Sequence, residues 1–283
     1  YEVVSIDKAR EVTIKGLSIV YRRPPNTVGK ITKLNEGSFD MQIDPERYFY
    51  LDKDVTGRVH YVDAMRERLY TGGRVSGKEL LSKDMIRIYT DFRPSTGDFC
   101  VLRHSGHYRP AIMIKESSDI YIEGVKIHSQ PGMGVVGHLS ENITLENLQV
   151  IPEAGMIIST NTDATHFTSC KGEIVIENCK FGGQGDDCTN IHNYYYTIVP
   201  QTKRSVEIKI QNADLHALSL DYPDVGDTLL VVNRSNLMEK EHFIVEQVDT
   251  STVDWRVSVT LNKDWLIGSP DLYYMTNITR RPS

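Results

Sequence analysis

Four short stretches of the chain repeat one pattern of apolar and polar residues. They begin at Val12, Ile120, Ile143 and Ile174, and each reads apolar, polar or β-branched, apolar, charged, glycine or asparagine, apolar, polar, apolar. Alternation with a period of two is typical of β-strands with one buried face. The central glycine or asparagine interrupts the alternation, and both residue types tolerate the left-handed backbone of a sharp bend. Each repeat is therefore predicted to be two short strands joined by a one-residue bend.

The spacing of these repeats predicts how they stack. The repeats at Ile120, Ile143 and Ile174 begin 23 and 31 residues apart. Such steps suit single coils of a parallel β-helix, in which neighbouring coils lie about 4.8 Å apart. Helical periodicity is nearly absent. We therefore predict an all-β fold built on a right-handed parallel β-helix.

Two long segments, residues 21–110 and 197–283, break the repeat. Each carries runs of alternating apolar and polar residues bounded by turn residues, which is typical of antiparallel hairpins or small barrels. We predict two inserted, antiparallel, barrel-like β-rich subdomains there, a first coil at 1–20 and a β-helical core at 111–196. Insertions in solenoids often emerge on the binding face.

Composition and charge narrow the expected partners. The net charge of -6 argues against a nucleic-acid partner, because phosphate binding needs a concentrated positive patch. No run approaches the roughly 18 to 20 apolar residues of a membrane span. The four cysteines lack the close pairs of a zinc site. The chain begins at Tyr1 instead of a methionine, so we expect a piece of a longer polypeptide.

The candidate chemistry lies at three aspartates, Asp163 and the pair Asp186–Asp187, which are 23 and 24 residues apart. Because that separation is close to one coil, the carboxylates are expected within several Å of each other. Acid/base catalysis needs one carboxyl group kept protonated beside another kept ionised. Glycoside hydrolysis uses such a pair. The spacing therefore indicates a candidate hydrolytic site.

The backbone around the pair must be irregular for both side chains to reach a cleft. Successive residues of a regular strand face opposite ways, but Gly182, Gly183 and Gly185 allow a distorted backbone. Two other interpretations stay open at this point. Adjacent aspartates near glycines are usually solvated turns, and carboxylates also bind calcium. No regular calcium-loop spacing accompanies them, and no metal is expected.

Two families share these motifs. Asn161-Thr162-Asp163, followed by Gly185-Asp186-Asp187-Cys188, resembles the signature of polygalacturonases in glycoside hydrolase family 28. The Gly-His-Gly and Arg-Ile-Lys motifs of that family are missing. The chain resembles more closely glycoside hydrolase family 110, the α-1,3-galactosidases that remove terminal galactose from blood-group-B-type and linear glycans. That likeness covers most of the chain, through Tyr21–Pro25, Thr160–Phe167, Gly185–His192 and Asp224–Leu229.

The second resemblance implies an inverting, exo-acting bacterial hydrolase that needs no metal or other cofactor. Carried over by position, Asp163 is the general acid, while Asp186 and Asp187 hold and activate the water; a swap of acid and base stays open. The resemblance further implies a carbohydrate partner with a terminal α-galactosyl group, a secreted or periplasmic location and a possible homodimer.

Five residues beside the aspartates are candidate sugar contacts. Their side chains can hydrogen-bond sugar hydroxyls or, for the tyrosine, pack on a sugar face; they are Asn161, His166, Gln184, His192 and Tyr194. A structural role in coil corners or at a core edge is the alternative for each.

The nearby sequence is poor in lysine and arginine, which favours a neutral sugar over a uronate. The competing functions are a polygalacturonase-like pectin hydrolase, a non-catalytic carbohydrate-binding β-helix and a polysaccharide lyase.

Overall fold

A computed structural model describes residues 2–48, 59–65, 68–104, 109–210, 221–250 and 256–283. They form three parallel sheets, one seven-stranded antiparallel sheet and one closed barrel. The helix found among these residues is the 3-10 turn Pro270–Leu272. No helix in the described part has the length and apolar character that crossing a membrane requires. The all-β prediction is confirmed.

The three parallel sheets are the walls of the β-helix. Sheet A contains β1 (Val4–Asp7), β11 (Ile112–Lys115), β14 (Val135–His138), β17 (Thr165–Thr168) and β20 (Thr189–His192). Sheet B contains β2 (Arg10–Lys15), β12 (Ser118–Glu123), β15 (Glu141–Glu146) and β18 (Lys171–Glu177). Sheet C contains β3 (Ser18–Ile19), β13 (Lys126–Ile127), β16 (Gln149–Val150) and β19 (Lys180–Phe181). Each of the first four coils contributes one strand to each sheet, and β20 adds a fifth strand to sheet A before the chain enters the barrel.

The four sequence repeats stack in the predicted register. In sheet B, Val12 pairs with Ile120, Ile120 with Ile143, and Ile143 with Ile174. The first of these pairs joins coils that are 108 residues apart in sequence, so the long segment between them leaves the stack and returns to it.

The bend between sheets B and C has the predicted left-handed backbone. The glycine or asparagine of each repeat has a positive φ: 64° at Gly16, 60° at Gly124, 53° at Asn147 and 53° at Asn178. Asparagine adopts this conformation more readily than other residues with a side chain. The interruption in the apolar pattern thus marks a corner of the coil.

Replacing Asn147 by alanine should lower the free energy of unfolding by about 1 kcal/mol, because alanine in the left-handed region is strained. Urea unfolding measures the change. Asn147→Gly is the control and should be close to neutral, since glycine tolerates the same φ. Equal losses in both variants would contradict this explanation of the corner.

Among the described residues, aliphatic side chains fill the lumen of the β-helix together with the ring of Phe167, and the partly buried Phe181 packs against them. Phe167 of β17 is fully buried. The neighbouring coil provides its space through Gly137, where an added Cβ would lie 2.6 Å from the Phe167 ring. This packing fixes β17, the strand that directly follows the first candidate aspartate.

The strands of the seven-stranded sheet lie between β3 and β11 in the sequence. Its order is β7 (Arg68–Thr71), β6 (Val59–Asp63), β10 (Phe99–Arg103), β4 (Asn26–Asn35), β5 (Ser38–Ile43), β9 (Met85–Thr90) and β8 (Val75–Ser82). All its pairings are antiparallel. Its core includes Phe39 and Tyr61, and it packs on Ile157 and Ile158 of the β-helix. It therefore lies beside the coil that carries Asp163.

The barrel follows sheet A. It contains β21 (Tyr195–Pro200), β22 (Ser205–Ile210), β25 (Arg256–Leu261), β24 (Glu239–Asp249), β23 (Thr228–Asn233) and β26 (Tyr273–Asn277). Its first strand begins two residues before the predicted position 197, and Tyr196 is part of its core. Phe243 and Trp265 stack inside it with ring centroids 5.5 Å apart.

After the barrel the chain returns to the β-helix. The amide of Ser283 donates to the carbonyl of Gly172, and the amide of Ile174 donates to the carbonyl of Ser283. Ser283 thus lies beside β18 in sheet B. The domain limits 1–20, 21–110, 111–196 and 197–283 stay predictions.

Candidate active site

The three aspartates lie just before two neighbouring strands of sheet A. Asp163 precedes β17, and Asp186 and Asp187 precede β20. The two coils are joined at this point by a backbone hydrogen bond from the Ala164 amide to the Asp187 carbonyl, 2.9 Å long. One carboxylate oxygen from each aspartate lies within 4.8 Å of the others. The structure thus brings together the residues that the coil spacing predicts.

Glycines shape the segment that carries the aspartate pair. Gly183 has a φ of 68°, and residues 185–188 lie outside any strand. Asp186 and Asp187 are both exposed there. At Gly185, an added Cβ would lie 2.4 Å from the carbonyl oxygen of Asn161. A side chain at this position would therefore push the two coils apart beside the carboxylates.

Asp163 has a different environment from the pair. It is only 4% exposed, and its Oδ2 lies 2.6 Å from Nδ1 of His166. His166 Nε2 in turn lies 3.0 Å from Nε2 of His192. The two imidazole rings are nearly perpendicular, with centroids 4.9 Å apart. Two histidines from adjacent coils thus form a chain of polar contacts that ends at Asp163.

The next residues along β20 support the site from the other side. Asn190 Nδ2 donates to Asp187 Oδ2 at 3.1 Å, which orients that carboxylate. Tyr194 meets His192 edge-on at 5.2 Å and also packs against the barrel core. Burial raises the pKa of the Tyr194 phenol above its usual range, so the phenol is neutral at ordinary pH.

Two candidate sugar contacts are already engaged with protein groups. Asn161 is 1% exposed; its Oδ1 accepts from Asn26 Nδ2 at 3.3 Å, and its Nδ2 donates to the Pro25 carbonyl at 3.5 Å. Gln184 Nε2 lies 2.7 Å from Cys188 Sγ. Asn161 therefore ties the start of β4 to the Asp163 segment. Sugar contact stays a prediction for all five candidates.

The local sequence does not reveal two basic side chains that the fold brings to the site. His60 Nε2 lies 3.3 Å from the position of a Cβ on Gly185, and Arg103 Nη1 lies 3.5 Å from His60 Nε2. Both residues are buried, and both belong to the seven-stranded sheet. His60 thus lies beside the segment that carries the aspartate pair, and the buried Arg103 lies behind His60. No local pattern signals these contacts.

His104, directly after Arg103, is held as a neutral imidazole. Its Nε2 lies 2.8 Å from Thr27 Oγ1. Burial, with the positive charges of Arg23 and Lys78, lowers its pKa from 6.5 to about 4. A depressed pKa means that the unfolded chain binds more protons than the folded one below pH 6.5.

The free energy of unfolding should therefore fall as the pH drops from 6.5 towards 4, the unfolded and folded pKa values of His104. His104→Gln should flatten this part of the pH profile, because glutamine keeps a polar contact with Thr27 but does not titrate. Urea unfolding at several pH values measures it. The exposed His242→Gln is the control and should keep the slope; an unchanged slope in His104→Gln would contradict the prediction.

Three carboxylate oxygens this close together are also within reach of a single cation. One of them already faces His166 Nδ1, and acidic groups often cluster at a surface without an ion. The three carboxylates alone therefore do not identify this as a metal site.

Comparisons with known proteins agree with the motifs. The family model described as "Glycosyl hydrolases family 28" matches residues 98–215. Alpha-1,3-galactosidase A of Shewanella woodyi is 31% identical over 155 residues, which are 52% of this chain and 25% of the relative. Alpha-1,3-galactosidase B of Bacteroides thetaiotaomicron is 27% identical over 214 residues, 66% of this chain and 35% of the relative.

A third relative, alpha-1,3-galactosidase B of Phocaeicola vulgatus, is 34% identical over 156 residues, which are 53% of this chain and 26% of the relative. The chain thus spans about a quarter to a third of the length of the curated relatives it matches. The predicted resemblance is confirmed: the chain is similar to curated alpha-1,3-galactosidases and, more distantly, to glycosyl hydrolases of family 28.

Proposed function

We propose that the protein is an exo-acting glycoside hydrolase that removes terminal α-1,3-linked galactose through Asp163, Asp186 and Asp187. One observation carries the proposal: carboxylate oxygens from two adjacent coils lie within 4.8 Å of one another beside sheet A. The names of the curated relatives support the choice of galactose and of the α-1,3 linkage. Blood-group-B-type and linear glycans are the substrate class. A secreted or periplasmic location belongs to the same proposal.

The environments of the carboxyl groups support their roles. Asp163 is almost buried, and its Oδ2 lies 2.6 Å from His166 Nδ1. It occupies the position to which the resemblance assigns the general acid, the group that protonates the leaving oxygen. Asp186 and Asp187 are exposed, and Asn190 orients Asp187. They suit the groups that hold and activate water.

The inverting outcome is inferred from the resemblance and from the number of carboxylates. Nearest oxygens within 4.8 Å are closer than the roughly 6.5–9.5 Å that separates the two carboxyl groups of most inverting enzymes. A retaining mechanism uses two carboxyl groups, one acid/base and one nucleophile. An inverting mechanism must also hold and activate a water molecule, and the third carboxylate is available for that task.

A second candidate is a polygalacturonase-like hydrolase. The match of residues 98–215 to family 28 and the buried Arg103 near Gly185 favour it, because a uronate needs a cation. Both candidate functions use the same three aspartates, so they are distinguished by which substrate the protein hydrolyses.

The test incubates the protein with α- and β-linked galactosides, a β-galactan and oligogalacturonates, and follows the released sugar by proton NMR. We expect galactose from α-1,3-linked ends, first seen as the β-anomer. An α-anomer formed first would overturn the inverting mechanism alone. Release only from oligogalacturonates would establish the second candidate. Binding of glycans without any hydrolysis would establish a carbohydrate-binding protein instead.

A further inference from the structure

A polar cleft lies where the β-helix meets the barrel. It encloses about 430 Å³ between the corners that join sheet A to sheet B and residues that flank the barrel strands. This volume lies within the range of roughly 300–1,000 Å³ that is typical of small-molecule sites. We call it the corner cleft; its lining includes Arg10, Glu116, Glu141 and Lys171 on the β-helix and Tyr222 and Asp224 on the barrel side.

Stacking of the coils builds the β-helix side of the corner cleft. Arg10 pairs with Ser118, Ser118 with Glu141, and Glu141 with Lys171 along sheet B. The corner before these strands contains a left-handed residue, as at Glu116 with a φ of 48°. Side chains from four coils therefore project beside one another at the spacing of the coils.

The charges in the corner cleft balance. Four basic and three acidic side chains line it. Lys171 Nζ lies 3.2 Å from Glu141 Oε2, and the buried Arg280 pairs with Asp224. An anion would meet the carboxylates, and a cation would meet the ammonium and guanidinium groups. The lining therefore suits a neutral ligand that both donates and accepts hydrogen bonds.

Tyr222 gives the corner cleft an aromatic surface. It packs against the barrel core and is partly exposed. Burial raises the pKa of its phenol above the usual value, so the hydroxyl keeps its proton at ordinary pH. A tyrosine combines a flat apolar face with a polar tip, so Tyr222 can pack on an apolar face of a ligand that also forms hydrogen bonds.

A neutral sugar meets all of these requirements. Its hydroxyl groups can donate to carboxylates and accept from ammonium and guanidinium groups, while its C–H face packs on an aromatic ring. Hydrogen bonds in which one partner is charged are the stronger class. A few such bonds together with the contact on Tyr222 are sufficient for binding in the millimolar range.

We propose that the corner cleft is a second carbohydrate-binding site, which holds a neutral sugar of the glycan away from the three aspartates. Asp163 lies before β17 and Lys171 lies after it, and the four residues of this strand span about 13 Å. A sugar bound in the corner cleft is therefore not the sugar that is hydrolysed. On a glycan with several ends, such binding raises the local concentration of the other ends near the aspartates. The inference goes beyond the proposed function and shares with it only the choice of an α-galactosyl glycan.

The test titrates the slowly reacting variant Asp163→Asn with α-1,3-galactobiose and follows the amide signal of Asp224 by nitrogen-15 NMR. We expect this signal to shift with a Kd in the millimolar range. Adding Arg10→Ala should weaken the Kd about tenfold or more, because a charge-assisted hydrogen bond is lost. Arg256→Ala is the matched control: Arg256 lies on β25, pairs with Glu207 outside the cleft, and its replacement should leave the Kd unchanged.

Two substitutions of Tyr222 test the aromatic surface. Tyr222→Phe keeps the ring and should keep the Kd within about threefold, whereas Tyr222→Ala should weaken it about tenfold or more. Circular dichroism shows whether Tyr222→Ala keeps the fold, since Tyr222 also packs against the barrel core. Arg10, which has a largely exposed side chain, tests the same site without touching that core.

Three results would overturn the second site: an Asp224 signal that does not respond to galactobiose, an unchanged Kd in Arg10→Ala, or a response to oligogalacturonate in place of the neutral disaccharide. Activity of the wild type separates this inference from the proposed function. If galactobiose binds in the corner cleft but no galactose is released, the hydrolase proposal fails and the second site stands. If galactose is released while the Asp224 signal stays in place, the hydrolase stands alone.

Discussion

Asp163→Asn is expected to lower kcat on an α-galactoside about 10³-fold, with KM changed by less than about threefold. Asparagine keeps the shape of the side chain and an oxygen for His166 Nδ1, which lies 2.6 Å from Asp163 Oδ2. It has no acidic proton to give to the leaving oxygen. Steady-state kinetics measure the effect, and circular dichroism together with thermal unfolding shows whether the fold is kept.

Asp7→Asn is the matched control for this variant. Asp7 is an exposed aspartate of β1 in the same sheet A, far from the candidate site along the stack, and its replacement should leave kcat unchanged. If Asp163→Asn kept more than about a tenth of the wild-type kcat, Asp163 could not be the general acid. The aspartate pair would then have to supply that role.

Gly185→Ala should reduce kcat about 10²-fold, although alanine carries no charge and touches no substrate. Its Cβ would lie 2.4 Å from the carbonyl oxygen of Asn161. Because this oxygen belongs to the backbone, the clash can be relieved only if one of the two stacked coils shifts. Displacement of the adjacent Asp186 by about 1 Å is enough for a loss of this size. The overpacking should also lower the free energy of unfolding by about 1–3 kcal/mol.

Gly182→Ala tests this explanation in the same loop. An added Cβ there meets no atom within 4 Å, so kcat and stability should both stay close to wild type. Urea unfolding and kinetics on the two variants give the comparison. Similar losses in both variants would mean that general loop flexibility, instead of the contact with Asn161, governs the position of the aspartates.

The β-helix and the meeting of the aspartates could be predicted because both follow from short patterns repeated at coil spacing. Asn147 and Asn178 mark corners by their own conformational preference, and the apolar alternation determines which side chains enter the lumen. The step from Asp163 to Asp187 is one coil, so their proximity follows once the coils stack. Predicting that they lie close together requires no information on tertiary structure other than the stacking of the coils.

The rest of the site depends on contacts between distant parts of the chain. His60 lies beside Gly185, and Arg103 contacts His60, where the seven-stranded sheet packs on Ile157 and Ile158. The same packing turns Asn161 towards Asn26. Apolar alternation indicates that a segment forms strands, but it does not say against which surface those strands will dock. Counting basic residues along the sequence therefore could not show that the buried Arg103 contacts His60, which lies beside Gly185.

The backbone hydrogen bond from Ala164 to Asp187 has a consequence for how such a site can change. The bond lies at the foot of the parallel strands of sheet A, so the spacing of the two coils is determined there by the sheet, while the glycine-rich segment before β20 positions the aspartate pair. In the proposed hydrolase, mutations in the surrounding antiparallel units can change the entrance of the site and the sugar that it accepts. The spacing of the two coils that carry the aspartates stays the same in such variants, so sugar specificity can change while the catalytic carboxylates are kept.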